Sequence, residues 1–148
     1  MGKTVEPTTR GAIVRVGLDL AKRMIQVHAV DSLGRVVAAK AVARNRFIEW
    51  CAQLPSGVLV AMESCGGAHH WARKLAAMGL QPRLIAGHFV GPYRMEGKRG
   101  KNDANDAAAV CEAASSEHAI RAYQRWINKR SWQCIGCVRA TRKSVRPA

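Results

Sequence analysis

Apolar residues in the first third of the chain come in short bursts rather than at helical spacing. Residues 12–20 hold Ile13, Val14, Val16, Leu18 and Leu20, which predicts a strand. Residues 24–30 and 35–42 predict a second and a third, with Asp31-Ser32-Leu33-Gly34 as the turn between them. Such short connections predict an antiparallel meander. From residue 45 the period changes. Phe47, Ile48, Cys51 and Leu54 fall at helical spacing, Asn45 is a candidate N-cap, and Pro55-Ser56-Gly57 ends the segment. Residues 58–62 are almost wholly apolar, the pattern of a strand buried on both faces. A tight loop at 64–67 leads into a helix over 68–78 with Gly79 as its C-cap. A strand over 81–85 follows, then a loop over 87–101 rich in glycine and basic residues. Asn102 or Asp103 starts a last helix, running to about Ser116. The order β-β-β-α-β-α-β-loop-α predicts an α/β fold: a mixed sheet, three strands of antiparallel meander plus parallel strands, with helices on both faces.

Composition narrows this picture. The 148 residues are 48% apolar, enough for one domain with a real core. No apolar run approaches the roughly 18–20 residues of a membrane span, and residues 1–11 lack the apolar stretch of a signal peptide. Residues 1–11 are therefore expected to be a flexible leader, residues 12–120 the folded domain, and the protein cytoplasmic, with no membrane partner. Net charge is +14. All 10 acids precede residue 121, whereas residues 121–148 hold basic residues and no acid. That balance favours a polyanionic partner, most simply nucleic acid. Five scattered cysteines without a secretion signal predict reduced thiols. Cys134 and Cys137 have metal-ligand spacing, but no second pair follows, so the signal is weak.

The acids suggest chemistry. Asp19 sits near the end of the first predicted strand among apolar neighbours, and Glu63 ends the fourth after a run with no polar residue. Asp103 and Asp106 lie three apart, so a helix sets both on one face near its positive end. The small neighbours Ala104, Ala107, Ala108 and Ala109 let that helix lie close to the sheet. If the first and fourth strands are adjacent and parallel, all four carboxylates can gather. They cannot all stay ionised unaided, and Mg²⁺ or Mn²⁺ would resolve the repulsion. Two such ions would stabilise the attacking and leaving oxygens of a phosphodiester displacement. Each acid also has an ordinary reading, as turn residue, N-cap or solvated helix position.

The same stretches carry a family likeness. Gly17-Leu18-Asp19-Leu20-Ala21-Lys22, Met62-Glu63-Ser64-Cys65-Gly66-Gly67 and Lys101-Asn102-Asp103-Ala104-Asn105-Asp106-Ala107 resemble the DEDD-motif insertion-sequence transposases. The likeness extends from about residue 13 to 121. It implies an RNase H-like (RuvC-like) domain in which Asp19, Glu63, Asp103 and Asp106 bind Mg²⁺ and cleave and transfer DNA strands. Some members are guided by a bridge RNA, so DNA, a guide RNA and a homo-oligomer of the full-length protein are the implied partners. A separate C-terminal domain supplies a serine that attacks DNA in this family. The sequence holds no counterpart, so no serine is carried over.

Arg94, Lys98, Arg99 and Lys101, with Tyr93 and glycines 91, 97 and 100, read as a phosphate-gripping loop feeding the tetrad helix, with a solvated loop as the alternative. Lys22, close to Asp19, is a further nucleic-acid contact. His69-His70-Trp71 reads as structural, and Ser64 lacks the pattern of a triad nucleophile. The acid-free tail, residues 121–148, has two readings. One is a genuine basic nucleic-acid-binding tail. The other is a shifted reading frame, since codons exist for residues 131–147 that encode an amphipathic, charge-balanced peptide in another frame. Three functions compete: a metal-dependent transposase domain, a truncated and inactive nucleic-acid-binding remnant of one, and a basic RNA-binding scaffold with incidental acids.

Overall fold

The structure, a computed structural model, describes residues 11–94 and 103–116, Asp103 by its backbone only. Five strands are present among them: β1 (Arg15–Leu20), β2 (Met24–Val30), β3 (Val36–Ala43), β4 (Leu59–Glu63) and β5 (Gln81–Ile85). They form one mixed sheet in the order β3-β2-β1-β4-β5. β1, β2 and β3 pair antiparallel, whereas β1–β4 and β4–β5 pair parallel. The expected meander and the parallel strands are both present, in an arrangement consistent with an RNase H-like fold.

Strand alternation sorts the side chains into two cores. Val16 and Leu18 of β1, Ile25 and Val27 of β2, and Val60 and Met62 of β4 face one side. There α1 (Phe47–Cys51) and α2 (Ala68–Ala77) cover them with Phe47, Cys51, Trp71 and Leu75. The Phe47 and Trp71 rings meet edge to face at 5.2 Å. On the other side α4 (Asp103–Ala113) lies chiefly over β1 and β2. Its Ala109, Val110 and Ala113 pack with Ala61 and Ile85 and with Val90 of α3 (Gly87–Val90). Helices thus cover both faces. At Gly17 a β-carbon would collide with the Ala107 carbonyl oxygen and the Cys111 amide nitrogen, so glycine is what lets α4 approach so closely.

Gly79 caps α2 as expected, with φ of +81°. The Leu80 amide returns to Leu75 O and the Gly79 amide to Ala76 O, a Schellman arrangement. Three local readings need correction. β1 starts at Arg15, not at residue 12. Asn45 is not an N-cap: it sits inside a 3₁₀ turn, Arg44–Arg46, and no side-chain cap opens α1. The cause is tertiary. Arg44 is tied to the β1–β2 turn, its amide donating to Arg23 O at 2.9 Å and its guanidinium to Ala21 O at 3.0 Å, and the chain begins to coil there. Finally, the segment from 87 is not all loop: α3 and a 3₁₀ turn, Gly91–Tyr93, form because Phe89 and Val90 pack on the second core. Among the described residues no helix is long and apolar enough to cross a membrane.

Candidate active site

Two of the candidate acids lie where β1 and β4 end. Leu18 pairs with Met62 in the parallel register, so Asp19 and Glu63 are the next residue on each strand. Alternation turns both away from the Leu18–Met62 side. Gly17, two residues before Asp19, lies against α4, and Ala61, two before Glu63, packs into the core beneath it. Asp19 and Glu63 are therefore on the α4 side, both half-buried. The Ser64 amide donates to Ile85 O at 2.8 Å, which anchors the chain leaving Glu63. A β-carbon at Gly87 would press on Glu63 Oε1, so the bare backbone at the start of α3 makes room for this carboxylate.

Asp106 reaches the same place from the first turn of α4. Arg94, just past the 3₁₀ turn, links the two elements: Nη2 donates to Glu63 Oε2 at 2.7 Å and Nε to Asp106 Oδ1 at 3.1 Å. One guanidinium thus bridges acids 43 positions apart in sequence. The side chains are partly exposed, so each pair contributes only about 0–1 kcal/mol to stability. What the bridge reports is geometry: β4 and α4 bring their acids within reach of a single cation. Asp103 is the first residue of α4, one turn before Asp106, and its side chain lies outside the described set.

Among the described residues, no three His, Cys, Asp or Glu side chains converge closely enough to hold a metal ion as they are placed. The donor type nevertheless fits one. Asp19, Glu63 and Asp106 offer only carboxylate oxygens, the ligands that Mg²⁺ and Mn²⁺ prefer, and two of the three already share a cation.

The remaining sequence candidates fare unevenly. Lys22 is exposed in the β1–β2 turn and Tyr93 is exposed beside Arg94. Lys98, Arg99 and Lys101 lie outside the described residues, as do Cys134, Cys137 and the basic tail. His69 and His70 are exposed on the first turn of α2, with the His70 ring against Trp71. Cys51, Cys65 and Cys111 are free thiols. Burial pushes the Cys51 thiol up to about 12 and raises that of Cys111, so neither is a ready nucleophile. Sequence reasoning gave Arg94 a phosphate and missed its carboxylate partners. The only local hint was Gly87, whose bare backbone Glu63 needs.

The chain resembles known proteins over most of its length. A transposase family model, the DEDD type of the IS110 group, matches residues 16–130. The "Probable family 20 transposase" of Pseudomonas aeruginosa is 52% identical over 101 residues, 68% of this chain and 29% of that protein. The transposase for insertion sequence element IS1111A of Coxiella burnetii is 42% identical over 100 residues, 68% of this chain and 26% of its own length. The transposase for insertion sequence element IS1328 of Yersinia enterocolitica is 38% identical over 103 residues, 70% and 30% respectively. The chain therefore spans between a quarter and a third of the curated relatives it matches.

Proposed function

The chain belongs to the DEDD transposase family, and from that premise we propose that it carries the metal-binding half of a DNA-cleaving centre used in transposition. Asp19, Glu63, Asp103 and Asp106 are the acids that would hold Mg²⁺ or Mn²⁺. A divalent ion held there would supply Lewis acidity for phosphoryl chemistry. The protein's own part is positional. β1 and β4 would fix two carboxylates at adjacent strand ends of a rigid sheet, α4 would bring the others, and its N-terminal end would favour their charge. Lys22, Arg94, Lys98, Arg99 and Lys101 would hold the DNA backbone by its phosphates, which sets position rather than sequence preference.

The observation that carries this reading is the Arg94 bridge between Glu63 and Asp106, with Asp19 and Glu63 each one residue past the paired Leu18 and Met62. Ordinary surface acids have no reason to meet from the end of a buried strand and a distant helix. The basic charge of the whole chain supports a nucleic-acid partner.

The test is a nicking assay on supercoiled plasmid, run with Mn²⁺, with Mg²⁺ and with EDTA, alongside Mn²⁺ binding by calorimetry. Glu63→Gln and Asp106→Asn are each expected to lower Mn²⁺ affinity about tenfold or more and to reduce metal-dependent nicking by about a hundredfold. Mn²⁺ binding and DNA binding without nicking would favour the inactive nucleic-acid-binding remnant. Mn²⁺ affinity unchanged in both variants would remove the metal centre altogether.

A further inference from the structure

We propose that Arg94 is a resident counter-cation of the carboxylate centre, which a divalent ion displaces as it binds. The inference rests on the metal-centre reading above and goes beyond it by giving one side chain two alternating partners.

The guanidinium contacts Glu63 and Asp106 through different nitrogens, Nη2 and Nε, at 2.7 and 3.1 Å. It therefore occupies the space between two of the acids proposed as metal ligands. As placed, the described ligand-type side chains do not converge on a metal-sized point. An ion entering this site must draw the carboxylates together, and the intervening guanidinium has to leave. The pairing is open to solvent. The Arg94 side chain is 42% exposed, Glu63 38% and Asp106 28%, so water reaches all three. The charge bookkeeping favours exchange: a monovalent, planar donor with directional N–H bonds gives way to a compact double charge with hard-oxygen preference. Without any cation the like charges would repel each other, so Arg94 also keeps the centre assembled before metal arrives.

Arg94 stands directly after the 3₁₀ turn Gly91–Tyr93, whose far end is continuous with α3. The backbone at Gly87 is pressed close to Glu63 and Val90 is buried, so the base of this arm is fixed while its tip is exposed. A fixed base and a free tip let the side chain swing without moving the sheet. Once released, the guanidinium stays at the mouth of the site, where a DNA phosphate is its natural next partner.

Calorimetric Mn²⁺ titration of the full chain, wild type against Arg94→Gln, tests the exchange. Removing the competitor is expected to tighten Mn²⁺ binding about fivefold or more, whereas Arg23→Gln, which removes an exposed cation in the β1–β2 turn, should change it less than about twofold. Mg²⁺ titration watched by the Arg94 Nε–H resonance, assigned by its absence from Arg94→Gln, is expected to shift that signal as the ion saturates. Arg94→Lys, which keeps the charge and loses the fork, serves if the glutamine variant does not fold, and should also bind Mn²⁺ more tightly than wild type. Equal Mn²⁺ affinity in wild type and variants, or an Nε–H signal unmoved at saturating Mg²⁺, overturns the exchange while leaving the metal centre standing. Failure of wild type and variants alike to bind either ion overturns both.

Discussion

Asp31 is the buried charged side chain among the described residues. It sits in the β2–β3 turn, where Oδ1 accepts the amides of Leu33 and Arg35, each at 3.0 Å, and Oδ2 meets Arg35 Nε at 2.8 Å. Burial pushes its carboxyl up, but the bonds from Arg35 and Leu33 prevail and hold it below its ordinary 3.8. His28 on β2 is lowered as well: burial holds it below its ordinary 6.5, Glu112 opposes and Arg15 adds to the lowering. Both shifts mean that the unfolded chain takes up protons at a higher pH than the folded one, so stability drops as acid is added. The His28 share is intact above 6.5 and drains below it; the Asp31 share is intact above 3.8 and drains below that. Urea midpoints between about pH 8 and about pH 3 should therefore decline in two stages. His28→Gln is expected to remove the upper stage and Asp31→Asn the lower. A decline that neither substitution alters would contradict this account.

At the scale of elements, the docking of α4 decides whether the acids meet. Its inner surface is built from Ala107, Val110 and Cys111, and the sheet answers with Gly17 rather than a side chain. Gly17→Ala would force the helix backbone outward, because neither the Ala107 carbonyl nor the Cys111 amide can swing aside. The expected loss is about 1–3 kcal/mol in chemical denaturation, at the upper end because backbone rather than a flexible tip must move. Stability within a few tenths of wild type would show that α4 is not pressed on β1. Sequence reasoning reached this element through its run of alanines, and it placed β2 and β5 to the residue. Apolar runs bounded by turn residues are a strong signal, and Pro82 is tolerated because β5 is an edge strand. α3 was illegible for the opposite reason: four residues make one turn, too short for a period, and they coil because of what they touch. The 3₁₀ turn at Arg44–Arg46 belongs to the same class, set by bonds to Arg23 and Ala21 rather than by local capping.

For the whole molecule the dominant quantity is charge. A net +14 on 148 residues predicts strong, salt-sensitive association with DNA. If about six phosphates are neutralised, the logarithm of the affinity should fall with the logarithm of salt at a slope of about −5, a loss of roughly 10³-fold between about 50 and 200 mM. A slope shallower than about −1 would mean that the basic residues are not on the DNA. Two of the acids were legible in one dimension because Asp19 and Glu63 each break an apolar strand at its end. Arg94 was not, since its partners Glu63 and Asp106 come from elements that only the fold makes neighbours. The paired strand ends have a consequence for how such a chain can change over generations. Asp19 and Glu63 share a side because each is an even number of positions from a residue packed beneath α4. Extra length in the links between strands leaves that parity untouched, whereas one residue gained or lost between Gly17 and Asp19, or between Ala61 and Glu63, sends an acid into the opposite core. Insertions should therefore collect in the connections and be purged from those two short steps, a bias that a random single-codon insertion library, scored for Mn²⁺ binding, would expose.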